Sequence, residues 1–211
     1  MAVGRDDVVA WIKVCAEKLA ENRDYLTQLD AAIGDADHGA NMDRGFKAVL
    51  NRLAEFSDKD IGAIFKIVGM TLISTVGGAA GPLYGTFFLQ AGSKTAGKME
   101  LSLADVSIAF DAALNGVVMR GKAEPGDKTM VDALTPAVDT LKKALADNAP
   151  LNIALQQMAG SARQGMEATI PLVARKGRAS YLGDRSAGHQ DPGATSSYLL
   201  LKAAADTWGD C

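Results

Sequence analysis

The spacing of apolar residues is the feature that most constrains the fold, because it follows the period of an α-helix almost from end to end. Val8, Ile12, Cys15 and Leu19 recur at steps of four, three and four residues, which places them on one helical face. No segment shows the two-residue alternation of a strand, and no hairpin signal is present. We therefore predict a single all-α domain, a bundle or barrel of about eight helices.

The same periodicity divides the chain into helical segments. Asn41 lies at the predicted start of one helix, Pro82 is tolerated as the first residue of another, and Ser102 is a suitable N-cap. Apolar residues at helical spacing mark the segments 8–19, 25–29, 42–53, 61–72, 82–88, 103–118, 130–146, 151–175 and 194–206.

The composition narrows the class of protein. The chain has 211 residues, of which 48% are hydrophobic and 22% are charged, as in an ordinary globular domain with a sizeable core. A net charge of −3 argues against non-specific nucleic-acid binding, which needs a basic face. No apolar run reaches the roughly 20 residues that span a bilayer, so no membrane contact is expected.

The N-terminal residues and the cysteines indicate the compartment. Arg5, Asp6 and Asp7 precede any apolar run, which is unlike a signal peptide. Cys15 lies in a helical stripe and Cys211 is the last residue, so a disulfide framework is not expected. The expected location is the reducing cytoplasm.

Three carboxylates stand close together in the chain. Asp30, Asp35 and Asp37 lie among glycines just before the predicted helix start at Asn41. Carboxylates this close repel one another unless a cation compensates. Hard oxygen ligands suit Mg²⁺, which shares its other positions with water and phosphate oxygens, and a helix N-terminus offers N–H groups to the same phosphates. The segment therefore predicts a Mg²⁺–nucleotide site.

Two interpretations of this acidic segment stay open on the residues alone. Asp is a common turn former, so the alternative is a solvated acidic loop. Against that alternative, Asp30 shares a helical face with Leu26 and Ile33, and a carboxylate facing the core is costly unless it is paired or metal-bound. An EF-hand is excluded, because the twelfth position counted from Asp35 is Phe46 and not a glutamate.

Glycine-rich connections are the second informative pattern. They lie at 77–81, 121–126 and 177–193, and alternate connections of an up-and-down bundle meet at one end. Bare backbone there lets a ligand approach closely, although glycine also simply ends helices. Cations in the loops 120–129 and 174–180 suit phosphate, or else belong to solvated basic turns. His38 is interpreted as a phosphate contact or as a loop histidine bonded to an aspartate.

Long blocks of the chain resemble a known family. The blocks are GDADHGAN (34–41), GGAAGPL (77–83), GKAEPGDKTM (121–130), ARKGRASYLG (174–183) and GHQDPGA (188–194). They resemble the nucleotide-binding L subunit of dihydroxyacetone kinase, from about residue 5 to residue 206. The resemblance implies an antiparallel eight-helix barrel that forms one ADP- and ATP-binding domain over residues 5–206.

The resemblance also implies the site residues. Asp30, Asp35 and Asp37 would bind two Mg²⁺ ions that bridge a diphosphate. The implied nucleotide contacts are His38, Gly39, Ala40, Asn41, Ala79, Ala80, Gly121, Met130, Arg178, Asp191, Pro192 and Gly193. No catalytic side chain is implied for this chain.

The function implied by the resemblance needs partners. In the three-subunit form of the family, ADP stays tightly bound to the L subunit as a coenzyme. A phosphohistidine-carrying M subunit of the phosphotransferase system, charged from phosphoenolpyruvate, recharges it to ATP. The phosphoryl group then passes to dihydroxyacetone on the K subunit, giving dihydroxyacetone phosphate. A chain of 211 residues has no room for a substrate domain, which favours this form over a single-chain, ATP-dependent keto-sugar kinase.

Other functions stay open at this stage. A self-sufficient Mg²⁺-dependent hydrolase of phosphate esters is compatible with the aspartate cluster alone. A nucleotide-binding sensor that contacts a transcriptional regulator is a further alternative, since some relatives contact transcription factors. Direct nucleic-acid binding is not expected. The barrel lumen holds either a lipid-like molecule or side chains.

Overall fold

The computed structural model describes residues 2–209, so Cys211 lies outside the described residues. Within them, two 3₁₀ segments, Leu53–Phe56 and Arg178–Ser186, and two short strands, β1 (Val3–Gly4) and β2 (Glu100–Leu101), accompany nine α-helices. The helices are α1 (Arg5–Glu21), α2 (Arg23–Ile33), α3 (His38–Leu50), α4 (Ile61–Thr75), α5 (Ala80–Lys94), α6 (Leu103–Gly121), α7 (Met130–Ala146), α8 (Leu151–Ala168) and α9 (Pro192–Trp208). None of them is both long and apolar enough to cross a membrane.

Eight of these helices close into a barrel. Consecutive helices from α3 to α9 pack side by side, α9 packs on α1, and α1 packs on α3. The ring is antiparallel, since the Trp208 indole at the end of α9 donates to the Asp7 carbonyl near the start of α1 (3.1 Å). The ninth helix, α2, packs mainly on α3 and also contacts α9. The predicted all-α barrel of eight antiparallel helices in one domain is confirmed.

Aromatic side chains fill the interior of the barrel. Trp11 lies at its centre, with ring centroids 4.8 Å from Trp208, 5.6 Å from Phe88, 5.9 Å from Phe65 and 6.2 Å from Phe110. The Trp11 indole N–H donates to the Leu200 carbonyl (2.9 Å), so its one polar group is satisfied inside the core. Side chains of this chain therefore occupy the central lumen.

Helix boundaries follow local capping where a local cap exists. Ser102, the predicted N-cap, forms a capping box with Asp105 at the start of α6, and Thr129 forms one with Asp132 at the start of α7. The two-residue strands β1 and β2 pair antiparallel, Val3 opposite Leu101. They are too short to produce the alternation from which a strand is predicted.

Four predicted boundaries are wrong. Helix α3 ends at Leu50, and Leu53 begins the 3₁₀ segment that follows. Helix α3 begins at His38, three residues before Asn41, because a side chain from α2 accepts its first N–H groups. Helix α5 begins at Ala80, since Pro82 is equally tolerated later in the first turn, where no N–H has a helical partner. Helix α8 ends at Ala168 instead of Arg175, and Pro171 prevents its continuation.

Candidate functional site

Four helix N-termini meet at one end of the barrel. Because neighbouring helices are antiparallel, α3, α5, α7 and α9 all begin at this end, each with the positive end of its dipole. A polar pocket of about 190 Å³ lies among them, and an apolar pocket of about 360 Å³ adjoins it. Helix termini of this kind attract anions.

The three predicted carboxylates line the polar pocket. One oxygen from each of Asp30, Asp35 and Asp37 lies within 4.8 Å of the others; Asp30 is buried and the other two are exposed. An all-oxygen donor set of this spacing fits a hard cation such as Mg²⁺. Arg178 pairs with Asp35 (3.0 Å), so one cation of the protein already faces the cluster.

Asp30 also fixes the start of α3. Its Oδ2 accepts the backbone N–H of Asp37 (2.8 Å) and of His38 (3.1 Å). Asp37 occupies the N-cap position, yet its own side chain makes no capping bond. Because Asp30 of α2 caps α3, the carboxylate of Asp37 is available to the cluster with Asp30 and Asp35.

The connection between α2 and α3 is tightly constrained. Ala36, between Asp35 and Asp37, has a left-handed φ of +61°, which costs an L-residue roughly 1–2 kcal/mol. A Cβ at Gly34 would lie 2.0 Å from Asp30 Oδ1, and one at Gly39 would lie 2.0 Å from a backbone oxygen of α2. Both glycines are therefore required by close approach, and Gly39 packs against α2.

The connection between α4 and α5 supplies bare backbone to the same pocket. Gly77, Gly78, Ala79 and Ala80 line it, and Gly78 has φ +63°. Ala79 is the N-cap of α5 and has no side chain that can cap, so the first N–H groups of α5 are not taken by a side-chain cap. Together with Asn41 of α3, these groups line the same pocket as the carboxylates.

A hydrogen-bond network joins three of the converging helices. His38 Nε2 lies 2.8 Å from Ser196 Oγ, and the Tyr84 hydroxyl lies 2.7 Å from Ser196 Oγ and 2.9 Å from Ser197 Oγ. Burial lowers the pKa of His38, and the nearby Asp30 and Asp37 oppose that shift. The network fixes the His38 ring behind the first turn of α3.

Replacing Tyr84 by phenylalanine is expected to lower the free energy of unfolding by about 1–2 kcal/mol, because two buried serine hydroxyls lose a partner. Thermal unfolding should show a melting temperature lower by a few degrees. The matched control is Tyr181→Phe, whose side chain is 88% exposed and should not change stability. Equal melting temperatures for both variants would contradict the structural role of the network.

Asp191 is a buried carboxyl that caps α9. Its Oδ2 accepts the Ala194 N–H (2.6 Å), and its own N–H donates to Thr169 Oγ1 (3.0 Å). Burial raises the pKa of Asp191 to about 7; Asp132 raises it further, whereas Lys128 and the capping bonds lower it. The folded protein therefore holds a proton here that the unfolded chain releases near pH 4.

Stability of the nucleotide-free protein is expected to fall as the pH rises from about 4 to about 7. Asp191 binds its proton more tightly when folded, so its contribution is fully present below the unfolded pKa and is lost through the folded pKa near 7. The slope is at most about 1.4 kcal/mol per pH unit. Urea unfolding of Asp191→Asn, which keeps a capping oxygen, should show a smaller slope. An unchanged slope would assign the effect to another group.

The structure brings most of the predicted site residues to the two pockets. The polar pocket is lined by Asp30, Asp35, Asp37, His38, Asn41, Ala79, Ala80, Met130, Arg178, Asp191, Pro192 and Gly193. Gly121 lines the apolar pocket, at the end of α6. Gly39 and Ala40 contribute the first turn of α3, where their N–H groups precede the helical bonding pattern.

Sequence reasoning misread or missed a few polar residues. Lys128, interpreted as one of the cations for phosphate, is 1% exposed and bonded to backbone carbonyls. Tyr84, Ser196 and Ser197 were not predicted. The available signal was the spacing of Tyr84, which lies four residues before the core residue Phe88 and therefore on the same helical face. A buried tyrosine hydroxyl needs a hydrogen-bond partner.

An all-helical barrel with a carboxylate cluster in a pocket among helix N-termini fits a protein that binds a metal–nucleotide complex. The model of the DAK2 domain matches residues 32–206, so the chain belongs to the DAK2 domain family.

Relatives of similar length carry the name of a kinase subunit. The chain is 47% identical over 205 residues to the "PEP-dependent dihydroxyacetone kinase, ADP-binding subunit DhaL" of Escherichia coli (strain K12), covering 97% of this chain and 98% of that protein. It is 43% identical over 197 residues to the "PTS-dependent dihydroxyacetone kinase, ADP-binding subunit DhaL" of Lactococcus lactis, covering 93% and 94%.

A solved structure shares the fold. The dihydroxyacetone kinase from C. freundii in complex with AMP-PNP and Mg²⁺ superposes with a TM-score of 0.71 at 28% identity. The match covers 94% of this chain but 33% of that longer chain, so this protein corresponds to about a third of it.

Proposed function

We propose that this chain is the ADP-binding subunit of a phosphoenolpyruvate-dependent dihydroxyacetone kinase. The observation that carries the proposal is the carboxylate cluster of Asp30, Asp35 and Asp37 in the same pocket as the N-terminal turns of α3 and α5. Relatives that match nearly end to end bear the same function in their names. Because phosphoenolpyruvate is a cytoplasmic metabolite, the proposal includes a cytoplasmic location.

The aspartates would hold two Mg²⁺ ions. When bound, these ions neutralise charge on the phosphate oxygens and on the phosphoryl group in transfer. Asp30 is rigid because α2 and the start of α3 fix it, whereas Asp35 and Asp37 are exposed and accessible to an incoming metal–nucleotide complex. Arg178, paired with Asp35, is placed to contact a phosphate as well.

The two adjoining pockets would divide the nucleotide. Phosphates would contact backbone N–H groups at 39–40 and 79–80, and the base would enter the apolar pocket beside Gly121 and Met130. A Cβ at Gly121 would lie 3.2 Å from Leu83 Cδ2, so a larger residue would narrow this pocket. The N-terminal turn of α9, residues 191–193, would close the polar side.

Partners would supply both reacting groups. Phosphoryl transfer depends on alignment and charge neutralisation more than on protein nucleophiles, so we assign no catalytic side chain to this chain. A K subunit holding dihydroxyacetone and a phosphohistidine-carrying M subunit would dock in turn over the open pocket. The rim there carries exposed Arg175, Arg178 and Tyr181, residue types that are enriched at interfaces. A transcriptional regulator that reads the nucleotide state would meet the same rim.

Native mass spectrometry, followed by nucleotide analysis after denaturation, tests the proposal. Retained ADP with two Mg²⁺ ions is expected, together with phosphoryl transfer to dihydroxyacetone only when both partners are added. Hydrolysis of phosphate esters by the chain alone would support a hydrolase and overturn the proposal. Free exchange of ATP would favour an ATP-dependent keto-sugar kinase, and absence of turnover in every mixture would favour a sensor.

A further inference from the structure

Lys128 is a buried cation held by backbone oxygens. Its Nζ donates to the carbonyl oxygens of Thr169 (2.7 Å), Leu172 (3.1 Å) and His189, and the Ile170 carbonyl lies at 3.4 Å. An ammonium has three N–H donors, so these four oxygens take all of them. Lys128 lines the polar pocket, but its donors are taken by these backbone oxygens.

Three of the carbonyls belong to the two ends of one loop, and Thr169 is the C-cap residue of α8 just before it. We name residues 170–190, between α8 and α9, the flap. Its ends lie together, since the Gly188 N–H donates to the Ile170 carbonyl (2.8 Å). The carbonyls at the end of α8 have no helical partner, and Lys128 from the neighbouring loop satisfies them together with the His189 carbonyl. Lys128 and the backbone hydrogen bond of Gly188 therefore hold the two ends of the flap together.

The flap covers the proposed nucleotide site. Lys176, Gly177, Arg178 and Ala179 line the polar pocket from this side. Beyond the base, the flap is attached by a hydrogen bond from the Arg175 N–H to the Asp127 carbonyl (3.1 Å).

The remaining attachments of the flap are weak. The ion pair of Arg178 with Asp35 involves an arginine side chain that is 65% exposed, and such surface pairs contribute little. A small apolar cluster of Ile33, Ala174 and Ala179 packs the flap on the end of α2. Segments with few buried contacts open locally. The hydrogen bonds of the Lys128 ammonium at the base therefore determine how readily the flap opens.

We propose that Lys128 is a positioning residue that holds the flap closed and thereby sets the dissociation rate of bound ADP. The inference rests on the proposed function, in which ADP is recharged in place and must outlast many turnovers. Lys128 acts through the flap, not by touching the nucleotide. Burial lowers the pKa of Lys128, and the nearby buried carboxylates Asp191 and Asp132 oppose that shift.

The test is the release rate of a fluorescent ADP analogue, chased with excess ADP in Mg²⁺ buffer. Lys128→Met keeps the length of the side chain and removes its donors. Release should accelerate at least about 10- to 100-fold, which is the effect of losing a single charge-assisted hydrogen bond. Lys13→Met, at an exposed position on α1, is the matched control and should release at the wild-type rate. An unchanged rate in folded Lys128→Met would overturn the proposal.

A second control separates positioning from general loss of stability. Leu141→Ala removes a fully buried side chain near the middle of α7 and lowers the melting temperature without touching the flap. At matched melting temperature it should leave ADP release unchanged. Equal acceleration in Leu141→Ala and Lys128→Met would mean that Lys128 contributes only to overall stability.

Flap opening can also be followed without nucleotide. Arg175, Lys176 and Arg178 are trypsin sites within the flap, and Lys128→Met should be cut there faster than the wild type. Equal cleavage rates for the variant and the wild type would contradict the role of Lys128 in holding the flap. Failure of the wild type to bind ADP would instead refute the proposed function alone. If Lys128→Met does not fold, the test uses hydrogen exchange of the Gly188 N–H in the wild type, which reports how often the base of the flap opens. ADP release faster than this opening rate would overturn the proposal that the flap controls release.

Discussion

Replacing Asp37 by asparagine is expected to weaken binding of Mg²⁺–ADP by about 100-fold or more, since removing even an outer-shell partner of a metal costs up to that factor. The fold should survive, because Asp37 makes no capping bond and Asp30 caps α3 in its place. Titration calorimetry on protein stripped with a chelator measures the effect directly. Coupled kinase activity should fall in parallel.

Two further variants make this result specific. Asp35→Asn should also lose affinity, but it frees Arg178 from its ion pair, so its effect is less direct than that of Asp37→Asn. Asp139→Asn, at an exposed position in the middle of α7, removes the same charge away from the pocket and should bind normally. Full nucleotide affinity in both Asp35→Asn and Asp37→Asn would eliminate the metal cluster and with it the proposed function.

Much of the fold could be predicted because helices leave a local signature. The apolar stripe of Val8, Ile12, Cys15 and Leu19 is buried along α1 as the period requires. The eight-helix barrel followed from the same pattern and from the family resemblance. The predicted helix boundaries were wrong where a distant residue determines them. Asp30 of α2 caps the start of α3, and capping rules based on neighbouring residues do not include that contact.

The candidate site was predictable to the extent that it is local in sequence. Asp30, Asp35 and Asp37 lie within eight consecutive positions, so their clustering could be inferred from their spacing in the sequence. Convergence of the glycine loops followed from the alternation of helix direction. The structure adds that these loops lead into helix N-termini. The positive ends of the helix dipoles explain why a pocket that contains carboxylates can also bind phosphates.

Residues that act across the barrel could not be predicted. Lys128 stands in a loop with other cations, and only the folded chain shows that its ammonium meets carbonyls 41 to 61 positions away. The bonds of Tyr84 to Ser196 and Ser197 join α5 to α9 across more than 100 positions. Such contacts depend on helix register, and an error of one residue rotates a side chain by about 100°.

Replacing Gly34 by alanine is expected to disrupt the site from its base. The added Cβ would lie 2.0 Å from Asp30 Oδ1 and 3.0 Å from the Asp30 carbonyl oxygen, so the buried carboxylate must move. That movement breaks its bonds to the N–H groups of Asp37 and His38, which fix the start of α3. Overpacking should lower the free energy of unfolding by about 1–3 kcal/mol, and Mg²⁺–ADP affinity should fall by about 100-fold.

The glycine at position 160 provides the matched control. It lies in α8, and a Cβ there would meet nothing within 4 Å, so Gly160→Ala should be neutral or stabilising by up to about 1 kcal/mol. Urea unfolding and calorimetry on both variants separate the general effect of alanine from the specific clash. If Gly34→Ala retained wild-type stability and nucleotide affinity, Asp30 would not be the rigid member of the cluster, and the acidic loop would have to be regarded as a flexible, solvated turn.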